Sequence, residues 1–152
     1  MVTTESADST RQPAAWDKPL PNIDLDSAEF WAGLARHELL LWTCGTCGAR
    51  YWPKTYCVNH ENEPWAANLS WQPSSGRGKL FAYNVHHWAF HPGFADEVPY
   101  TYALVELDEG PLISSTMVGR MPRAGDVGSP VRVVYEDHPA EGFTLPRFEL
   151  VD

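Results

Sequence analysis

Three cysteines and one histidine carry the clearest potential chemistry in this sequence. Cys44 and Cys47 are separated by two residues, a spacing at which a tight turn lets both sulfurs reach one tetrahedral ion. Gly48 follows directly, and glycine readily adopts the positive φ that turns a backbone N–H toward a metal-bound sulfur. Cys57 and His60 repeat the two-residue gap further along the chain. The spacing predicts a Cys₃His metal site, which is closed to water and substrate and therefore structural.

The identity of the fourth ligand leaves alternatives open. If His60 points away from the sulfurs, then Glu61, Glu63 or His37 could take its place. Two other interpretations of the cysteines also remain: a hairpin without metal, and a redox or iron–sulfur centre. A redox Cys-x-x-Cys is typical of a helix N-terminus in a βαβ setting, and the sequence around Cys44 does not show that pattern. We therefore predict zinc as a structural cofactor.

A glycine-rich turn offers a second candidate site. Residues 75–78 read Ser-Gly-Arg-Gly and could form a backbone nest for a phosphate of coenzyme A, with Arg77 and Lys79 supplying positive charge. The competing interpretation is a loop that enters the first strand of a barrel. The sequence favours the loop, because no helix follows to add its dipole.

Histidines cluster at His86, His87 and His91. Neighbouring residues in a strand point to opposite faces, so His86 and His87 cannot easily converge on one metal or substrate. We interpret them as polar edge residues. The alternative is that one of them, together with Trp88 and Phe90, reaches into the active site of a partner protein.

Carboxylates gather at Glu106, Asp108 and Glu109, close enough together for general acid–base chemistry to be considered. Asp-Glu-Gly is typical of a turn, however, and we interpret these side chains as a hairpin tip. The sequence presents no Ser-His-Asp or Cys-His arrangement with supporting context. Independent catalysis is therefore unsupported, and no catalytic residue is assigned.

Composition narrows the class of protein. The chain has 152 residues, of which 43% are hydrophobic, enough for one core and a small additional module. Its formal net charge of −9 disfavours nucleic acid as a partner. No run approaches the roughly 20 apolar residues of a membrane span, and the first 25 residues lack the apolar run of a signal peptide. We expect a cytoplasmic protein, where a disulfide framework is disfavoured.

The chain divides into four predicted parts, which are a flexible tail over residues 1–25, a helix over 26–38, a zinc ribbon over 39–64 and an OB-fold domain over 65–152. Asp26 and Glu29 have the spacing of a capping box at the start of the helix. Phe30 and Leu34 would share its apolar face. The seven tryptophans either fill the core or lie at a protein interface, and both interpretations stay open.

The last part of the chain contains several runs of residues that are typical of short strands. The expected strands are Leu80–His87, Tyr100–Leu107, Leu112–Val118, Val131–Tyr135 and Thr144–Leu150, with a further short strand at Leu69–Gln72. No helical run separates them, so they favour an antiparallel barrel over a parallel sheet. The predicted fold class is mainly β: an N-terminal helix, a small zinc ribbon and a five-stranded OB-fold barrel.

Several short segments resemble one known family of small proteins. They are Phe30-Trp31, Cys44-x-x-Cys47-Gly48, Trp52-Pro53, Cys57, the run 75–80, Pro99-Tyr100, the run 105–111 and the run 145–148. The chain is similar to proteins in which a rubredoxin-like zinc ribbon precedes an OB-fold domain, long catalogued as a domain of unknown function. His60 is a departure, because the family pattern usually has a fourth cysteine there.

The resemblance implies an association with acyl-CoA metabolism. Members look like partner subunits of thiolases, or of thiolase-like aldolases and acyltransferases, and are sometimes fused to a hydratase domain. We therefore expect a non-catalytic accessory subunit that joins a thiolase-fold protein in a hetero-oligomer and helps form the site for a CoA thioester of an aromatic, steroid or fatty acyl group. The alternatives are an OB-fold module for single-stranded nucleic acid and a stand-alone acyl-CoA binding protein.

Overall fold

The computed structural model describes residues 16–60 and 68–151. Within these ranges the secondary structure comprises α1 (Ala28–Ala35), β1 (Leu40–Cys44), β2 (Arg50–Tyr51), β3 (Leu69–Pro73), β4 (Arg77–His86), β5 (Tyr100–Leu107), β6 (Leu112–Thr116), β7 (Pro130–His138) and β8 (Phe143–Leu150). The predicted mainly β class with one N-terminal helix is confirmed. Most of the predicted tail, residues 1–15, lies outside the described part of the chain.

Helix α1 buries the side that its sequence predicts. Phe30 and Leu34 are 7% and 0% exposed, because their four-residue spacing places both on the face that packs against the rest of the protein. The helix ends where His37 adopts a left-handed φ of 61°. No helix in residues 16–60 or 68–151 has the length and apolar character needed to cross a bilayer.

The predicted capping box at the start of α1 is wrong. Ser27 is the N-cap residue and makes no side-chain capping bond. Its hydroxyl and backbone N–H instead donate to the Asp24 carboxylate, at 2.6 and 2.8 Å. The serine thus closes the turn that precedes the helix, and the short polar side chains of Asp24 and Ser27 satisfy each other locally.

Five strands form the barrel in the order β6-β5-β4-β7-β8, each antiparallel to its neighbour. A parallel bridge between Met117 and Phe148 brings the two edge strands together, so the barrel is nearly closed and the predicted OB-type barrel is confirmed. Strand β4 begins three residues before the predicted Leu80. Gly78 permits this pairing, since an added Cβ would lie 2.3 Å from the Glu106 carbonyl oxygen.

A second sheet contains β1, β2 and β3 in the order β2-β1-β3. Strand β3 pairs with β1 along its whole length, from Leu40 opposite Pro73 to Cys44 opposite Leu69. The sheet that carries the first cysteine therefore extends past residue 65, where the sequence placed the start of the barrel domain.

One hydrophobic core joins the helix, strand β1 and the barrel. Its buried members are Phe30, Leu34, Leu39, Leu41, Leu80, Ala103, Val105, Leu107, Ile113, Val131 and Phe148. Trp31, Trp52 and Trp71 pack against this cluster while remaining partly exposed. Because α1 and β1 share the barrel core, the small sheet is held on the barrel by apolar burial.

Candidate metal centre

Two short turns bring the cysteines together. Strand β1 ends at Cys44, and the turn that follows is closed by a 2.8 Å bond from the Gly48 N–H to the Cys44 carbonyl. Gly48 has a φ of 76°, a conformation that glycine adopts without strain. Cys57 lies directly before a single 3₁₀ turn, Val58–His60, which carries the imidazole back toward the sulfurs. The turn after β1 thus supplies the sulfurs of Cys44 and Cys47, and the 3₁₀ turn brings in Cys57 and His60.

The four predicted ligands form one cluster. The sulfurs of Cys44, Cys47 and Cys57 and one ring nitrogen of His60 all lie within 4.8 Å of one another. The Cys47 and Cys57 sulfurs are 3.5 Å apart. A tetrahedral ion with metal–sulfur bonds of about 2.3 Å would place its sulfurs roughly 3.8 Å apart, so the cluster fits such an ion.

His60 has the surroundings expected of a ligand. Its Nε2 atom is buried and has no hydrogen-bond partner among the described residues. A buried ring nitrogen without a partner costs free energy, and a metal ion would remove that cost. His37, the alternative histidine, bonds instead to the Asp137 carboxylate at 2.9 Å and stacks on Tyr135. Glu61 and Glu63 lie outside the described residues.

Two residues that the sequence did not single out surround the sulfurs. The Asn59 amide donates to the Cys47 sulfur at 3.4 Å, and the Tyr51 hydroxyl lies 3.3 Å from the Cys57 sulfur. The Val58 N–H in turn donates to the Tyr51 oxygen at 3.2 Å. Asn59 could have been suspected from its position between Cys57 and His60, whereas Tyr51 depends on the pairing of β2 with β1.

These contacts shift the pKa values of Cys47 and Cys57 in opposite directions. The Asn59 hydrogen bond, with help from the Ala49 N–H, lowers the pKa of Cys47 to about 6. The Tyr51 hydrogen bond lowers the pKa of Cys57, but burial and the adjacent sulfurs outweigh it, and the net shift is upward. Donors aimed at a sulfur stabilise the thiolate, which is the form that binds metal.

The candidate phosphate nest at residues 75–78, which the sequence did not favour, has its backbone donors engaged. The Ser75 N–H donates to the Glu109 carboxylate at 2.5 Å, and the Gly76 and Arg77 N–H groups donate to the hydroxyls of Ser74 and Ser75. The Glu109 carboxylate thus binds the loop where the candidate nest would bind a phosphate. Glu109 is accordingly a structural residue of this loop, although Arg77 remains exposed.

The histidines of residues 86–91 do not converge on one site. His86 stacks on Tyr100 with ring centroids 5.0 Å apart. His91 accepts a hydrogen bond from the Gly93 N–H at its Nδ1 atom. Between them, Trp88 and Phe90 are 74% and 77% exposed. Trp88 and Phe90 thus give this segment an exposed aromatic surface.

Known proteins resemble the chain over both of its sheets. Residues 71–136 match the family described as ChsH2, C-terminal OB-fold domain. The 3-oxo-4,17-pregnadiene-20-carboxyl-CoA hydratase alpha subunit of Mycobacterium tuberculosis is 34% identical over 119 residues, which are 78% of this chain and 36% of that protein. The chain thus spans little more than a third of that subunit's length.

A solved chain of the Ltp2-ChsH2(DUF35) aldolase superimposes with a TM-score of 0.71 and 29% identity, over 86% of this chain and 98% of that one. A DUF35 domain-containing scaffold protein of Methanocaldococcus jannaschii is 30% identical over 101 residues, which are 66% of this chain and 69% of the scaffold protein. With the barrel, the cysteine cluster and this match taken together, the chain belongs to the family of DUF35 domain proteins.

Proposed function

We propose that this chain is an accessory subunit of an aldolase or thiolase-like complex that degrades CoA-activated substrates. The observation that carries the proposal is its likeness to the chain from the Ltp2-ChsH2(DUF35) aldolase, which extends over 98% of that chain. The relatives named as a hydratase alpha subunit and as a scaffold protein support the same role. Carbon–carbon bond cleavage would be the work of the partner, and this subunit would shape the acyl-CoA site.

The surroundings of the polar side chains also favour an accessory role. In residues 16–60 and 68–151, the cysteines belong to one cluster with His60, and the histidines of residues 86–91 are spread along an aromatic surface. Glu109 is bonded to the loop at residues 74–75. We infer from these contacts that the groups contribute to the fold and not to a reaction.

A thiolase-fold protein is the partner we propose, in a hetero-oligomer. Trp31, Trp52 and Trp71 line a cleft of about 270 Å³ between the helix and the small sheet, and Trp88 and Phe90 project from the barrel. Partly exposed aromatic side chains of this kind are enriched at protein interfaces. We place the complex in the cytoplasm, where the three free thiols would stay reduced.

Zinc is the metal we propose for the cluster, held by Cys44, Cys47, Cys57 and His60. Zinc prefers tetrahedral sites of thiolate and imidazole ligands, and four protein ligands leave no open position for substrate. When bound, the metal would hold the turn after β1 against the 3₁₀ turn. Its contribution would be to stability and not to the reaction.

Reconstitution tests the accessory role. The thiolase-like aldolase of the same organism is purified with and without this chain, and cleavage of a β-hydroxyacyl-CoA is followed by release of the ketone or aldehyde product. We expect a stable complex whose turnover exceeds that of the isolated partner by at least about tenfold, as is common when a site is completed in the correct geometry. Full turnover by the partner alone would refute the proposal.

Two variants would locate the contact surface. Replacing both Trp88 and Phe90 with alanine should weaken the complex, because exposed aromatic residues contribute much of the binding energy of interfaces. Val127→Ala serves as the matched control, since Val127 is also apolar and 53% exposed but lies in another loop. Equal weakening by the control would remove the 86–91 segment from the proposed interface.

A further inference from the structure

A cavity of about 420 Å³ lies where β4 and β7 meet, and three cationic side chains line it. They are Arg77, Lys79 and Arg132, and Pro130 and Val151 contribute apolar wall. The volume falls within the range of sites that bind small organic ligands. Three cations around one concavity stand out in a chain with a net charge of −9.

Strand register places the three cations on one face. Arg77 lies directly opposite Arg132 in the antiparallel pair, and Lys79 lies opposite Pro130. Side chains two residues apart in a strand share a face, so Lys79 lies beside Arg77, while Gly78 and Val131 between them are buried. Like charges directly opposite each other destabilise a sheet, and the Glu149 carboxylate bonded to Arg132 offsets part of that repulsion.

Arg77 and Lys79 lack the ion pairs that other cations of this protein have. Lys18 bonds to Glu97, Lys54 to Asp26, Arg36 to Glu29 and Glu38, and Arg147 to Glu136. Within the described ranges, neither Arg77 nor Lys79 forms an ion pair with a carboxylate. The charge on these two groups is therefore available to a ligand.

Acidic residues border the cavity as well. Arg132 is paired with Glu149 at 2.6 Å, Asp108 lines the wall, and Glu106 lies across the sheet from Lys79. Long-range attraction for anions is therefore small, and binding would depend on direct hydrogen bonds from the two unpaired side chains. A phosphate suits these donors, because a guanidinium can bond two of its oxygens at once while the ammonium contacts a third.

We propose that the unpaired Arg77 and Lys79 bind the phosphate groups of a nucleotide-bearing ligand in this cavity, while Arg132 stays paired with Glu149 at the cavity wall. In the proposed complex this ligand is the phosphorylated adenosine end of the CoA thioester. The choice of CoA rests on the proposed function, whereas the choice of a phosphate rests on the side chains alone. The donors differ from those of the candidate nest: they are side chains, because the loop amides at residues 75–77 are already bonded.

Calorimetric titration of the full chain with adenosine 3′,5′-bisphosphate, and with adenosine as the phosphate-free reference, tests the site. We expect the bisphosphate to bind and adenosine to bind at least tenfold more weakly. The double variant Arg77→Gln, Lys79→Gln should weaken bisphosphate binding about ten- to a hundredfold, since a hydrogen bond between charged groups contributes about 1.5–3 kcal/mol and 1.4 kcal/mol is tenfold. Both side chains are exposed, so the fold should survive, which circular dichroism verifies.

The matched control is the double variant Arg36→Gln, Lys54→Gln, which removes the same total charge from exposed, already paired positions. Equal weakening by the control would show that only net charge matters and would overturn the proposal. Indistinguishable binding of adenosine and its bisphosphate by the wild-type chain would overturn it too.

Assembly with the thiolase-like partner, measured in parallel, separates this inference from the proposed function. If the Arg77, Lys79 variant loses the partner but keeps its bisphosphate affinity, the cations bind an acidic surface of the partner and the nucleotide site is wrong. If the wild-type chain binds the bisphosphate and not the partner, the proposed function fails while the phosphate site stands.

Discussion

The barrel and the ribbon tip, which we define as residues 44–60, are held together in different ways. In the barrel, Leu80, Val105 and Phe148 are each at most 1% exposed and belong to one apolar core. In the ribbon tip, the buried side chains are those of Cys44 and Cys57. Trp52 adds a partly exposed contact with the core, but we expect so little apolar burial to leave the conformational entropy of the segment uncompensated. The barrel thus depends on its core, and we expect the tip to depend on bonds to a metal held by the cysteine cluster.

Replacing a buried cysteine should have the largest effect, and the effect should be confined to the ribbon tip. Cys44→Ser removes a thiolate ligand, and we expect metal affinity to fall by orders of magnitude, because metal binding supplies the folding free energy of such small sites. Amide exchange measured by mass spectrometry should become fast in residues 44–60 and stay slow in β5. Thr46→Ser, in the same turn, should change neither metal content nor exchange. A tip that stays protected in metal-free Cys44→Ser would contradict this view.

Truncating a core side chain should destabilise the barrel and leave the metal site of the ribbon tip intact. Phe148→Ala leaves a cavity in the barrel and should lower the free energy of unfolding by about 3–5 kcal/mol, measured by urea denaturation. The folded variant should retain its metal. Phe81→Ala is the control, because Phe81 is 52% exposed on β4 and its truncation should cost less than about 0.5 kcal/mol. Loss of metal from folded Phe148→Ala would show that core and tip are not separable.

The fourth ligand can be identified with a pair of histidine variants. His60→Ala should weaken zinc binding by more than about a hundredfold, since even the outer contacts of a metal site contribute ten- to a hundredfold. His37→Ala should leave zinc affinity unchanged, because His37 bonds to Asp137. Competition with a chromophoric chelator measures both. Equal affinities for His60→Ala and the wild type would direct attention to Glu61 or Glu63.

The smallest effect we expect is on how the stability of the barrel declines at acidic pH. Hydrogen bonds and charge from Arg147 outweigh the burial of Glu136, so the pKa of this carboxyl lies below its usual 4.5. A depressed pKa in the folded state means that the ionised group stabilises the protein above about pH 4.5, and that this contribution is lost as the pH falls through the folded value.

Glu136→Gln should therefore reduce stability at pH 7 and flatten its decline between pH 5 and pH 3, as followed by urea denaturation at each pH. Acid also releases metal from thiolates, so the comparison is made between proteins with the same cluster. Glu106→Gln, at an exposed position of β5, is the control and should follow the wild-type profile. An unchanged slope for Glu136→Gln would show that the pair with Arg147 contributes nothing to folding.

Local patterns made much of the fold predictable. Strand β5 has the predicted bounds, because alternation of buried and exposed residues needs no information beyond the segment itself. The cysteine cluster was predictable for the same reason, since two-residue gaps and Gly48 set its geometry over a few bonds. The helix cap was not, because Asp26 and Ser27 are equally suitable by type and only the surrounding turn decided between them.

The residue types and their spacing were thus enough to predict a mainly β chain, a nearly closed barrel and the four side chains that gather in one cluster. Tertiary structure alone decided that His37 binds Asp137 and leaves His60 free for the cluster, that Glu109 occupies the loop at residues 75–78, and that Arg132 joins Arg77 at one cavity. The two residues of each contact are at least 34 positions apart in the chain. Their contacts follow from the pairing and register of distant strands, which no local pattern of residue types specifies.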